Sequence, residues 1–156
     1  MAQVIKAPNK YDYDDYTKFI FLGGSIEMGV AENWQDKVVK EFQNNNDITF
    51  LSPRRDDWDS SWTQDPIPGT KFHEQVQWEL IGQERADLNI YYFDSNTKSP
   101  ITLLELGLFG PNTNTVVRCE PSFYRYGNVK ITCDRYNIPL VHTFDELIQY
   151  VKEEIQ

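Results

Sequence analysis

The sequence predicts a single α/β domain built on a parallel sheet with helices packed on both faces. Short β-type runs alternate with helical stretches along the chain, the pattern of a helix-covered parallel sheet. At 156 residues, 40% of them hydrophobic, the chain is long enough for one real core without disulfide or metal staples. It contains no internal repeat, no low-complexity block and no sign of a second domain. A polar, tyrosine-rich segment over residues 1–17 precedes the domain proper, residues 18–156.

Taken in order, the first expected strand is Lys18 to Leu22, ending at Gly23-Gly24-Ser25. A helix is expected from Glu27 to Asn44, with Val30, Trp34, Val38 and Phe42 at helical spacing. The run Asn44 to Asp47 stops it, because these side chains compete for backbone hydrogen bonds. Ile48 to Leu51 is the second strand, and the Pro-, Arg-, Asp- and Trp-rich stretch from Ser52 to Gly69 is a loop long enough to be functional. Phe72 to Glu84 reads as a helix, Leu88 to Phe93 as the third strand, and Pro100 opens the next helix. Thr115 to Cys119 is the fourth strand and Ser122 to Asn137 is mixed loop and helix. Leu140-Val141 is a short fifth strand, followed by an amphipathic helix from Phe144 to Ile155 with Thr143 and Glu146 in capping-box positions.

Charge and composition exclude several classes of function. With 24 acidic against 15 basic residues the formal charge is −9, which argues against a nucleic-acid polymer as partner, since phosphate binding relies on Lys and Arg releasing counterions. A neutral or small-molecule partner is expected instead. Cys119, Cys133, His73 and His142 are too widely spaced for a zinc motif, so no metal or other cofactor is expected. No apolar run approaches the ~20 residues of a membrane span, and the N-terminus lacks the pattern of a signal peptide. The expectation is a cytoplasmic protein with reduced thiols.

The segment Ser99 to Gly110 carries the strongest chemical signal. Ser99 is a good N-cap, Pro100 suits the first helical position, and Gly110-Pro111 ends the helix. Between them the helix is apolar nearly all round, as expected of a helix buried in the domain, and carries one charge, Glu105. A lone buried carboxylate costs several kcal/mol unless satisfied. Helical side chains lean toward the N-terminus, which aims Glu105 at the carboxyl edge of the sheet, where open α/β folds bind ligands. It is thus a candidate nucleophile; the alternative is a structural carboxylate held by an arginine or by the helix N-terminus.

Four further features point to the same edge. Gly23, Gly24 and Ser25 after the first strand allow a tight turn and close approach of a ligand, although a Gly-Gly there is often only a turn. Asp57 and Trp58, in the loop after the second strand, are suited to hydrogen-bond and stack on a nucleobase, or else to a solvated acidic loop anchored by its indoles. Glu79, mid-helix, faces either the site or, like most helical glutamates, solvent. Arg125 and Asn128 follow the fourth strand and offer hydrogen bonds to a sugar or an anion.

These residues resemble the nucleoside 2-deoxyribosyltransferase superfamily, and in particular its deoxyribosyltransferase-like branch. The resemblance spans about Phe19 to Val141 and rests on Phe21 to Ile26, Ala86-Asp87, and Ser99 placed six residues before Glu105-Leu106-Gly107, while Ser52 to Arg55, Asp57-Trp58 and Phe123 to Val129 look most like that branch. It implies a flavodoxin-like three-layer sandwich whose five-stranded parallel sheet has the order 2-1-3-4-5. Glu105 matches the family nucleophile, which attacks the sugar C1′ as the base departs. Glu79 holds the place of the carboxylate that assists the leaving base, where the family more often has Asp. Ser99 matches the phosphate-binding serine of the related 2′-deoxynucleoside 5′-phosphate N-hydrolases, with Gly24 and Ser25 beside the sugar phosphate. Asn128 matches an asparagine supplied by a neighbouring subunit, which implies a homodimer or larger homo-oligomer. A nucleotide-sensing module without turnover and an NAD-cleaving enzyme of related fold are the competing readings.

Overall fold

A computed structural model describes residues 1–13, 16–25, 32–55 and 64–156. The strands are β1 (Gln3–Lys6), β2 (Lys18–Gly24), β3 (Ile48–Ser52), β4 (Leu88–Phe93), β5 (Thr115–Cys119) and β6 (Leu140–Val141). The helices are α1 (Trp34–Glu41), α2 (Lys71–Arg85), α3 (Pro100–Phe109), α4 (Tyr126–Tyr136) and α5 (Phe144–Glu154). All six strands pair in parallel in the order β1-β3-β2-β4-β5-β6. The expected order 2-1-3-4-5 survives as β3-β2-β4-β5-β6, so the sandwich is flavodoxin-like.

The correction is the sixth strand. Gln3 to Lys6 runs beside Thr49 to Ser52 and covers what would be the free edge of β3. Four residues are too few to show a period, and the edge that selects them lies some 45 residues away in sequence. The rest of the amino-terminal segment also packs: Tyr13 stacks on Phe19 with ring centroids 4.6 Å apart, and the Trp78 indole donates to Asn9 O at 2.8 Å.

The two faces of the sheet alternate along each strand. Ile20, Leu22, Ile90 and Val116 pack under α1 and α5 with Trp34, Val38 and Leu147. Phe19, Phe21, Tyr91, Phe93 and Val117 face the layer of α2, α3 and α4. Asp87, just before β4, locks the bottom of the sheet by accepting from Phe19 N at 2.8 Å and from the Tyr13 hydroxyl at 3.0 Å.

Three local expectations change. The helix expected from Glu27 begins at Trp34: Glu32 and Asn33 precede it, and the Asn33 side chain accepts from Asp36 N at 3.3 Å as the cap. Residues 27–31, Val30 among them, lie outside the described residues. Ser99 occupies the N-cap position of α3 but does not cap it, being left-handed at φ 46° with its hydroxyl turned elsewhere. Nor is α3 buried all round, because Ile101 (57%), Leu104 (65%) and Leu108 (54%) are exposed along one side. The capping box of α5 forms as expected, with Thr143 and Glu146 exchanging 3.1 Å hydrogen bonds.

Gly24 is fixed by close packing. Its φ is +148°, and a Cβ there would lie 2.4 Å from Tyr92 O and 2.8 Å from Trp34 Cζ2. Gly24→Ala is expected to destabilise the fold by on the order of 3 kcal/mol, read as a lower urea midpoint at unchanged m-value.

Candidate active site

The polar chemistry gathers where α2 and α3 meet above β4. On α2, Gln75, Glu79 and Gln83 recur every four residues and form one polar stripe on the buried side of the helix. Gln75 ties the stripe to the end of β3 by donating to Pro53 O at 2.9 Å. One residue before Gln83, Gly82 lets the helix come close to the sheet, since a Cβ there would touch the Phe21 ring at 3.0 Å. Asn89 on β4 anchors the lower end of α2 by donating to Gln83 O at 3.1 Å.

Glu105 projects from α3 into this seam and is 6% exposed. Its Oε2 accepts from Gln83 Nε2 at 2.5 Å, and Gln83 Oε1 in turn accepts from the Tyr91 hydroxyl at 2.7 Å. The partner of this buried carboxylate is therefore an amide, and among the described residues no arginine pairs with it. Gly23 makes room for the arrangement, because a Cβ on it would press on the Tyr91 ring at 3.0 Å.

Burial holds both carboxyls above the ordinary carboxylate range. For Glu105 the loss of solvation dominates and the Gln83 hydrogen bond opposes it. For Glu79 desolvation is again the largest cause, the charge of Glu105 raises it further, and a hydrogen bond from Gln75 offsets part. Although Glu79 retains some exposed surface as a residue, its carboxyl is enclosed by protein, and the enclosure governs the shift. Two acids that repel each other in this way share protons, and the one with the better donor, Glu105, ionises first. Tyr91 is held firmly protonated by burial and by Glu105, so its hydroxyl donates.

A second group lies at the top of α3. Ser25 Oγ is 2.5 Å from Ser99 Oγ and 2.9 Å from Thr97 Oγ1, and the Thr97 and Ser99 hydroxyls are 2.7 Å apart. Ser25 also accepts from Asp94 N at 3.0 Å, which binds the turn after β2 to the turn after β4. All three side chains are buried.

The structure thus brings Glu79 and Glu105 together, and separately Ser25 and Ser99. Gly23 and Gly24 lie at the end of β2, and the space of each missing Cβ is taken by protein, Tyr91 in one case and Tyr92 with Trp34 in the other. Arg125 and Asn128 are exposed at the start of α4, and Arg125 lies over the Tyr124 ring at 5.6 Å rather than near either carboxylate. Asp57 and Trp58 fall outside the described residues. Cys119 and Cys133 are buried thiols pushed up to about 12 and about 11 by desolvation, and among the described residues no cluster of metal donors forms. Two open depressions, one of ≈ 360 Å³ beside Tyr11 and Trp78 and one of ≈ 400 Å³ beside Tyr13 and Asp87, touch neither carboxylate. The buried acids, rather than the surface hollows, form the candidate site.

Gln83 and Tyr91 were not singled out by sequence. The one available signal was the four-residue spacing of Gln75, Glu79 and Gln83, which places them on a single helix face.

Comparison with known proteins identifies the family and the fold. Residues 17–123, more than half of the chain, match the family described as nucleoside 2-deoxyribosyltransferase like. The chain belongs to that family. The matched range includes Glu79, Ser99 and Glu105 and stops short of Arg125 and Asn128. Membership makes the protein a nucleoside-related enzyme in general terms. A crystal structure of a conserved protein from Enterococcus faecalis V583 shares the fold, with a TM-score of 0.62 at 13% identity over 88% of this chain and 99% of that one. No curated protein matches the chain.

The raised carboxyls have a consequence for stability. The folded chain binds these protons more tightly than the unfolded chain does, so stability is greatest at acid pH and falls as pH rises through the raised values. Glu105→Gln should therefore stabilise the protein by about 2 kcal/mol at pH 8, roughly 4–8 °C in Tm, and by little at pH 4. Paired thermal melts at the two pH values check this.

Proposed function

We propose that the protein cleaves or exchanges the N-glycosidic bond of a (deoxy)nucleoside or nucleoside 5′-monophosphate through a covalent glycosyl-Glu105 intermediate. The observation that carries this reading is the pair of buried carboxyls on α2 and α3, both raised by burial, with an amide hydrogen bond that favours the ionised form of Glu105. In the first step a Glu105 oxygen bonds to C1′ as the C1′–N bond breaks, the bonding pair leaves with the base, and Glu79 protonates that base. In the second step water, or the nitrogen of another base, attacks C1′ and frees the Glu105 carboxylate, while Glu79 accepts the proton of the attacking group. Hydrolysis and transfer share the first step and differ only in the second.

The family match supports the nucleoside part of this reading, and the hydroxyls of Ser25 and Ser99 at the amino end of α3 support a phosphorylated substrate. Gly23, Gly24, Asp57, Trp58, Arg125 and Asn128 are assigned to the rest of the substrate contacts from the sequence alone. A homodimer belongs to the same proposal. The exposed side of α3, with Ile101, Leu104, Gly107 and Leu108, carries no charge in a chain of net charge −9, so it is a face on which two copies can meet without repulsion.

Incubation with 2′-deoxynucleoside 5′-monophosphates and a second free base is the functional test. A new 2′-deoxynucleoside 5′-monophosphate carrying the added base indicates transfer, and free sugar phosphate alone indicates hydrolysis. Glu105→Gln should lower cleavage at least ~10³-fold with ligand binding retained, and normal turnover by this variant would remove Glu105 from the mechanism. Ser99→Ala should raise KM for a monophosphate more than for its nucleoside; equal changes would overturn the phosphate assignment. In sedimentation velocity the wild-type chain should run as a dimer and Leu104→Glu as a monomer, whereas identical profiles would exclude α3 as the contact.

A further inference from the structure

We infer that Tyr91 and Gln83 form a one-directional hydrogen-bond relay that commits Oε2 of Glu105 to the protein, offsets part of the cost of its charge and leaves Oε1 as its reactive atom. The inference deepens the proposed glycosidic chemistry and rests on it for the word reactive.

The direction of the relay follows from the chemistry of its groups. A neutral phenol has one hydrogen, and Tyr91 OH lies 2.7 Å from Gln83 Oε1. With the carbonyl oxygen of the amide turned to Tyr91, its NH₂ group faces the opposite way. There Nε2 meets two acceptors, Glu105 Oε2 at 2.5 Å and the backbone oxygen of Glu79 at 3.0 Å. Turned over, the amide would set its oxygen against a carboxylate and a carbonyl and its NH₂ against the phenol, so the observed orientation is strongly favoured. Gln83 has no exposed surface and Tyr91 none either, so water cannot substitute for any of these groups.

The two oxygens of Glu105 are consequently unequal. Among the described residues no hydrogen bond reaches Oε1, whereas Oε2 is taken up by Gln83. In the glycosyl ester Oε1 carries the sugar and Oε2 becomes the carbonyl oxygen. When water or a base attacks C1′, the C1′–Oε1 bond breaks, its electron pair returns to the carboxylate, and the Gln83 N–H stabilises the charge that reappears on Oε2. Gln83 and Tyr91 are positioning residues in this scheme: neither touches substrate.

Tyr91→Phe removes one oxygen and keeps the ring in the core, and Gln83→Met keeps the length of the side chain without its donors. The test has two readouts on each variant. The first is the ¹³C carboxyl titration of Glu105 in the substrate-free protein, assigned through its loss in Glu105→Gln. Its midpoint should rise by about half a unit in Tyr91→Phe and by about one unit in Gln83→Met. The second is the burst of base release from a 2′-deoxynucleoside 5′-monophosphate, whose steady-state phase should slow about tenfold in Gln83→Met as the ester accumulates. A purely structural role would lower Tm and leave the midpoint in place, so an unmoved midpoint in both folded variants overturns the relay. Failure of the parent reading looks different: wild-type protein that releases no base from any nucleoside or nucleotide removes the attack on sugar, while the carboxyl midpoint still decides whether the relay favours the charged form of Glu105.

Discussion

The arrangement of the α2–α3 layer depends on keeping two carboxyls out of water and next to each other. Isolated in the same place, either charge would cost several kcal/mol and would be neutralised. The protein offsets part of the cost with an amide on Glu105 and a second amide on Glu79, and among the described residues no guanidinium lies beside Glu105. An arginine would have made a more stable seam and fixed both carboxyls as anions. In the proposed mechanism an amide leaves one acid able to give up a proton and the other able to act as a nucleophile.

Much of the surrounding fold serves to hold that seam at one spacing. Gly82 draws α2 down onto Phe21, Asn89 pins the end of the helix to β4, and Gln75 ties its beginning to Pro53. The parallel order of β2 beside β4 brings Gly23 level with Tyr91, and the missing side chain of the glycine is what allows the phenol to reach Gln83. At the top of the sheet Ser25 links the turns after β2 and β4 through Asp94 N. The left-handed backbone at Ser99 keeps its hydroxyl in that cluster instead of on the end of α3, a strained position of the sort that collects at functional sites.

The sheet and Glu105 were legible in the sequence because their signals are local. The strands are short apolar runs bounded by polar turns, and Glu105 is the one charge in an apolar helix. What escaped depends on contacts between distant residues. β1 is chosen by the edge of β3 and not by its own four residues. A glutamine on a helix reads as surface until a tyrosine from the next strand is seen against it. The even apolarity of α3 marked a buried helix, yet among the described residues nothing covers its outer side, which sequence reading cannot separate from burial in an assembly.

Trypsin offers a direct view of the central claim, because cleavage after Lys98 and Arg118 releases a peptide in which Glu105 is the only acidic side chain. Mass spectrometry of acid-quenched protein, taken during turnover of a 2′-deoxynucleoside 5′-monophosphate, should find that peptide heavier by one deoxyribosyl phosphate. A substrate that turns over while this peptide stays unmodified at every time, or a sugar carried on any other peptide, would contradict the account.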